Sequence, residues 1–367
     1  METDQKPEAP VSAGGSSTLR TFVIVVLPLI FVTSAAAIRP GWLTALSDAG
    51  AAAVSDAVEP SAAEPTESGT PAESTDSEDT IPLILFSVDT TVRLANDLTI
   101  SNEDIVCCDG SEIWMVFDGS DVGLSGHKIS SFTLVGPQQI LMTFSEPVQL
   151  SGISRAVRPT DIVSFQVSQL GTDTDGTFEL HFAGENVGLS SAGEHIDALH
   201  RFPDGRMVMS TVSSHSVPGA EGHDEDLIVF SPAAFGNETA GTWDSYLDGS
   251  DVEWSGQDVD AVSLDEEGHI YLSSHDRFSP AIGPVAANDI LLFRPTSLGR
   301  ETTGTYEPQP VLNGRQMKLG TCNIKGLDIA VGIKRAAVTA AYPKRSETET
   351  AESPDRSDIR NSSGRGD

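Results

Sequence analysis

Short runs of β-branched and aromatic residues, bounded by Gly, Pro, Asp or Asn, recur from about residue 82 to 333. Runs of this length with these boundaries predict β-strands. In one stretch they fall at about 195–201, 206–213, 226–231 and 241–247, a set of four labelled a, b, c and d. The set returns along the chain. Strand c is opened by "DIVCC" at 104, "DIVSF" at 161, "DLIVF" at 226 and "DILLF" at 289. The last three are followed by "QVSQLGTDTDGTF", "SPAAFGNETAGTW" and "RPTSLGRETTGTY", and "HIDALHRFPDGRMVMS" at 195–210 returns as "VDAVSLDEEGHIYLS" at 259–273.

A turn joins each set to the next. It reads "DGSDVGL" at 118–124, "AGENVGL" at 183–189, "DGSDVEW" at 248–254 and "NGRQMKL" at 313–319. Asp121, Asn186, Asp251 and Gln316 hold the same place in it, each 65 residues after the last. A four-stranded unit of about 65 residues is too long for a β-helix rung and suits a propeller blade.

The ends support a closed ring. The first unit begins at "LILFS" (83–87), which matches strand b, and lacks a strand a before it. After the fourth strand d comes "NIKGLDIAVGI" (323–333), which matches strand a and has no unit after it. A surplus strand of the missing type predicts that the C-terminal strand completes the first blade, leaving no open edge. The expected fold is all-β, a four-bladed β-propeller. The competing arrangement is a β-sandwich or open repeat stack built from the same strands.

These units, of the form "DGSDVGL…DAL…DG…DxDIxxFxPTSLG…TxGT", resemble those of a group of exported bacterial repeat proteins. The resemblance covers roughly residues 82–333 and implies export and a propeller-like repeat, with no particular reaction attached. The fourth copy, which loses both acids of the turn, departs most from the pattern.

The flanks read differently. Residues 1–20 form an n-region, and residues 21–38 ("TFVIVVLPLIFVTSAAAI") follow Arg20 as an uncharged, mostly apolar run ending in small residues. That pattern reads first as a cleaved secretory signal, and otherwise as a single transmembrane anchor. Either puts the following residues outside the cytoplasm. Residues 39–80 are an Ala/Ser/Pro/Glu spacer with too little apolar surface to offset chain entropy, and residues 342–367 read the same way. The repeat domain spans 81–341.

Charge narrows the partners. With 54 Asp and Glu against 22 Lys and Arg, the net charge is −32. Nucleic acid is excluded, because phosphate binding relies on clustered Lys and Arg. The expected ligand is a protein or glycan, with the membrane engaged through 21–38 if that segment is uncleaved. In a propeller the d-to-a and b-to-c connections share one face. Here that face carries Asp118, Asp121, Glu185, Asp248, Asp251, Asp258 and the run "EGHDED" at 221–226.

Two sets of recurring acids separate. Asp104, Asp161, Asp226 and Asp289 open strand c, well out from the axis, and read as turn caps. Asp121 and Asp251 read as caps of the blade-to-blade turn, where Gly supplies positive φ and Asp supplies Asx hydrogen bonds. Asp197, Asp260 and Asp328 open the innermost strand, where the second unit has Ser130. They are the set expected to converge on the channel, and oxygen-only ligands would favour calcium. "DTDG" at 173–176 lacks the rest of a calcium-loop pattern, and no nucleophile or phosphate-loop motif occurs. The eight His do not recur at equivalent positions, and none is expected to join the three Asp. Three Cys make no disulfide scaffold, and a Cys322 bridge to Cys107 or Cys108 is disfavoured because strands a and c are not neighbours.

Together these readings predict an exported or membrane-tethered, non-catalytic propeller for binding or scaffolding, with a cation in the axial channel as an added element. The alternative is a calcium-dependent propeller hydrolase of the phosphoesterase or lactonase type.

Overall fold

The computed structural model describes residues 83–330. The segments 1–20, 21–38, 39–80 and 342–367 lie outside the described residues, as do the margins of the repeat domain. Among the described residues no helix is long and apolar enough to cross a membrane.

In chain order, the first group of strands is β1 (Leu83–Val88), the small hairpin β2 (Val92–Arg93) and β3 (Thr99–Ile100), then β4 (Ile105–Cys108) and β5 (Ile113–Phe117). The second is β6 (Ile129–Gly136), β7 (Gln139–Phe144), β8 (Ile162–Gln169) and β9 (Asp175–Phe182). The third is β10 (Ile196–Arg201), β11 (Met207–Thr211), the hairpin β12 (His215–Val217) and β13 (Ala220–Gly222), then β14 (Leu227–Ala234) and β15 (Ala240–Leu247). The fourth is β16 (Val259–Leu264), β17 (Ile270–Ser274), β18 (Leu291–Ser297) and β19 (Thr303–Tyr306), and β20 (Ile324–Ala330) follows. They form four antiparallel four-stranded sheets, β20-β1-β4-β5, β6-β7-β8-β9, β10-β11-β14-β15 and β16-β17-β18-β19. This is a four-bladed β-propeller.

The ring closes as the strand arithmetic requires. β20 pairs with β1 in the register Leu83–Ala330, Ile84–Ile329, Leu85–Asp328 and Phe86–Leu327. The first blade therefore joins strands about 240 residues apart in the chain, and its edge is covered.

Each blade buries both faces, which explains why its strands read as continuous apolar runs rather than alternating ones. Along β1, Leu83 and Leu85 pack towards the second blade with Ile140, Met142 and Phe165. Ile84 and Phe86 pack towards the fourth with Tyr271 and Leu292. The second and third blades meet through Leu141, Phe182, Met209 and Phe230, and the third and fourth through Val208, Val229, Leu272 and Phe293. Each such fully buried side chain contributes about 1.5–3 kcal/mol over its exposed state.

The "TxGT-aromatic" phrase has a packing cause. On each outer strand the aromatic lies against the strand-c Phe, with Phe165–Phe178, Phe230–Trp243 and Phe293–Tyr306 centroids 4.9, 4.8 and 5.0 Å apart. A Cβ on Gly176, Gly241 or Gly304 would stand 2.4 Å from the Cζ of the same Phe. Only glycine fits beneath the ring.

The repeated turn is built differently from its expected form in one respect. Its glycines Gly119, Gly184 and Gly249 start short 3-10 turns and are not among the residues with positive φ. They are glycine because a Cβ would lie 2.2, 2.1 and 2.1 Å from the carbonyl oxygens of Glu103, Thr160 and Glu225. The left-handed residue comes four positions later, at Gly123, Gly188, Glu253 and Lys318. Close approach, not backbone handedness, selects the first glycine.

Cys108 and Cys322 are buried in the layer between the first and fourth blades, whereas Cys107 faces the second. Cys108 and Cys322 are thiols, not joined to each other. Burial pushes the thiol pKa of Cys108 up to about 11 and that of Cys322 up to about 12.

Candidate functional site at the axial mouth

The acids opening strand c all bond in one way. Asp104 Oδ2 accepts the amide of Ser101 at 2.7 Å, and its Oδ1 accepts the amide of Gly119 at 3.1 Å. Asp161 takes Arg158 N and Gly184 N, Asp226 takes His223 N and Gly249 N, and Asp289 takes Ala286 N and Gly314 N. One oxygen thus holds the b-to-c loop and the other holds the start of the d-to-a turn. Arg155 Nη1 adds a contact to Asp161 at 2.5 Å.

Asp121 and Asp251 reach across blades. Asp121 Oδ2 accepts the amide of Thr174 at 2.7 Å, and Asp251 Oδ2 that of Thr302 at 2.9 Å. The same threonines accept the amides of Asp118 and Asp248 through Oγ1, both at 2.9 Å. At the second-to-third junction Asn186 Nδ2 donates to the carbonyl of Asn237 at 2.8 Å.

The four innermost strands, β20, β6, β10 and β16, touch one another in a circuit around the axis. Hydroxyls on the second strands fix their equivalence. Thr143, Ser210 and Ser273 donate to the carbonyls of Ile196, Val259 and Ile324, the first residue of the next inner strand. The following position is therefore Ser130, Asp197, Asp260 and Lys325.

This corrects the expected register of Asp328. It stands three residues further along, in a second polar level with Thr133, His200 and Ser263. Its Oδ2 accepts the amide of Leu134 at 2.6 Å and Thr133 Oγ1 at 3.3 Å. Burial raises its pKa to about 6 against those bonds. Asp197 and Asp260 come together, and the residue that completes their level is a lysine.

Around Asp260 the structure gathers a network that runs from the core to the exposed ring of His275. Its Oδ1 accepts Lys325 Nζ, its Oδ2 accepts Asn323 Nδ2, and His275 Nδ1 lies 3.0 Å from Oδ2. His275 Nδ1 is 4.0 Å from Asp258 Oδ2. Asn323 is itself fixed from β1, its amide donating to Asp89 Oδ1 at 2.7 Å and its carbonyl accepting Asp89 N at 3.0 Å. Asp197 Oδ1 accepts Ser210 Oγ at 2.6 Å.

Burial works against the Asp260 charge, but the His275 and Lys325 contacts outweigh it, and the carboxyl pKa falls below its usual value. Lys325 is buried, which would discharge it, yet Asp260, Asp197 and Asp258 hold its pKa above the ordinary value. Burial and the charge of Asp258 push Asp197 well up. Burial and the charge of Asp260 lift Asp258 to about 7. The bond to Asp260 raises His275.

The network floors a cavity of about 400 Å3 lined by Asp224, Gln257, Asp258, His275, Asp276 and Lys325. A second cavity of about 730 Å3 is lined by His215, Glu221, His223, Glu225, Asp226 and Asp248. Both are walled by b-to-c and d-to-a loops. Acids and imidazoles there can draw a cationic group and hold it by charge-assisted hydrogen bonds. Asp265, Glu267 and His269 cluster at the opposite end of strand β16. There Arg294 already supplies the cation, bonding His269 Nε2 at 2.7 Å and Glu307 at 2.7 Å.

Lys325, His275 and Asn323 are the members that sequence reasoning missed. Lys325 was detectable, because Ile324 and Leu327 have the spacing of Ile196 and Leu199 and of Val259 and Val262. His275 and Asn323 hold repeated backbone positions, His275 N donating to Asp258 O as Asp89 N does to Asn323 O, but the residue types there do not recur.

No family model matches the chain, and no curated protein matches it. Among solved structures it is similar to a luciferin-regenerating enzyme at 12% identity, covering 60% of this chain and 64% of that one, with a TM-score of 0.25. It is also similar to YCF48 bound to a D1 peptide at 11% identity, covering 53% and 58%, with a TM-score of 0.22. The chain thus spans less than two thirds of either protein.

Proposed function

We propose that this chain is an exported or membrane-tethered β-propeller acting as a non-catalytic binding or scaffold module. It engages its partner through the loop face around the axial mouth. One observation carries the reading: the two cavities of that face are lined by carboxylates, including Glu221, Asp224, Glu225, Asp258 and Asp276. Such a surface favours a protein or glycan partner presenting cationic groups and repels acidic ones. The apolar run at 21–38 supports placing this face outside the cytoplasm.

The test compares faces at equal net charge. Binding of an oligolysine peptide to the full chain is measured for Glu221→Gln/Asp224→Asn and for Glu266→Gln/Glu267→Gln, the latter on the opposite a-to-b hairpin. The first pair should weaken binding at least about tenfold and the second less than twofold, a difference of about 1 kcal/mol or more. Equal effects would mean diffuse charge attraction and would remove the reading.

A second reading, a calcium-dependent hydrolase of the phosphoesterase or lactonase type, is favoured by His275. It puts an imidazole beside Asp258 and Asp260 at an open mouth, a set suited to general-base work. Turnover of a chromogenic phosphoester or lactone, lost in His275→Gln, would select this reading over the first.

A further inference from the structure

Three oxygens at the axial mouth are buried without a hydrogen-bond partner: Asp197 Oδ2, Asp258 Oδ1 and Asn323 Oδ1. Asp197 is 0% exposed and Asn323 6%, so water does not solvate these atoms from outside. A buried acceptor left unmade costs about 1–3 kcal/mol, and more when charged. Buried polar atoms are satisfied by a protein group, by water or by an ion, and these three share one neighbourhood: the charges of Asp258 and Asp260 act on Asp197, and Asn323 Nδ2 bonds Asp260.

Their neighbours narrow the choice. Asn323 turns its Nδ2 towards Asp260 Oδ2 and the carbonyl of His275, which leaves Oδ1 as its free acceptor. Asp197 Oδ1 is spent on Ser210, which leaves Oδ2. Lys325 does not meet the need, since its hydrogen bond goes to Asp260. Three acids, Asp197, Asp258 and Asp260, act on this one ammonium.

We infer that the axial mouth is a site for one hard divalent cation, calcium in class, held by Asp197 Oδ2, Asp258 Oδ1 and Asn323 Oδ1. Waters from the cavity complete its shell. Two carboxylates and an amide make an all-oxygen set, which selects calcium, magnesium or manganese over softer metals. The three ligands come from different places: strand β10, the loop before β16 and the loop before β20. Irregular ligands of this kind suit calcium's flexible geometry better than the strict octahedron of magnesium. Asp260 serves as a positioning residue, orienting Asn323 and anchoring Lys325. A cation here ties the closing strand to the third and fourth blades. This inference does not depend on the partner-binding reading, since it concerns an ion in the floor of the mouth.

The test uses the full chain stripped with chelator and titrated with calcium chloride at constant ionic strength, so that diffuse screening of an acidic protein does not register. The expected result is one equivalent bound, with a melting temperature that rises with calcium by mass action. Asp258→Asn, a half-buried position that tolerates exchange, should weaken calcium binding at least about tenfold. Glu267→Gln, in the opposite acidic cluster, should leave it unchanged. Crystals soaked in manganese should show an anomalous peak between Asp197, Asp258 and Asn323, which keeps the proposal testable if a variant fails to fold. Calcium binding that is equal in Asp258→Asn and the parent, or absent below millimolar concentrations, would overturn it, as would a manganese peak elsewhere.

Discussion

Asp121 of the first blade accepts the amide of Thr174 in the second, 53 residues away, and Asp251 does the same for Thr302 in the fourth. The acids of the repeated turn are therefore blade-to-blade clasps. The degraded fourth copy fits this role. The turn it would meet is the short β4–β5 hairpin of the first blade, "CDGSEI", which has no threonine to offer.

Asp251→Ala should accordingly destabilise the domain by about 1–2 kcal/mol, the cost of a lost charged hydrogen bond and a buried amide left unpaired. Gln316→Ala, at the equivalent place in the fourth copy, should change stability by less than about 0.5 kcal/mol. Urea unfolding of the two variants checks the pair.

The turn glycines make a second comparison. Gly249→Ala brings a Cβ to 2.1 Å from Glu225 O, a clash that only backbone movement relieves. A loss of about 1–3 kcal/mol is expected, the range of strained backbone and overpacked sites. Lys318 is exposed with φ 60°, and Lys318→Gly should instead stabilise by up to about 1 kcal/mol. Thermal melts of both variants against the parent provide the measurement.

The fold was legible in the chain because its signals repeat. "LILFS" without a strand before it and "NIKGLDI" without a unit after it define ring closure, and β1 and β20 pair accordingly. The site was less legible for two physical reasons. Each inner strand has an irregular register near its start, as between Ile196 and Ala198 and between Val259 and Ala261, and "LDIA" imitates "IDAL" three residues out of phase. The rest of the site lies at repeated positions whose residue types do not recur: Asn323 stands where Lys128, His195 and Asp258 precede the other inner strands, and its side chain and that of His275 meet at Asp260.

Asp328 gives a pH dependence with a definite sign. Its folded pKa of about 6 stands above the ordinary 3.8 because burial disfavours its charge. The stability it contributes is full below about pH 4 and is lost as pH rises through about 6. Asp328→Asn removes that loss while an amide oxygen can still accept from Leu134. The variant should melt higher than the parent at pH 8, and the gap should close towards pH 4. A gap that widens on acidification would contradict the assignment.

The central claim is that the inner-strand register brings Lys325 into the level of Asp197 and Asp260, making the axial mouth one electrostatic unit. A double-mutant cycle on Lys325→Met and Asp260→Asn, read by denaturant unfolding in chelator, tests it most directly. Lys325→Met alone leaves buried carboxylates uncompensated and should cost about 3–5 kcal/mol. Adding Asp260→Asn should restore part of that loss, giving a coupling energy of about 2 kcal/mol or more. A coupling energy within about 0.5 kcal/mol of zero would mean that the two side chains do not meet, and would contradict the register on which the site rests.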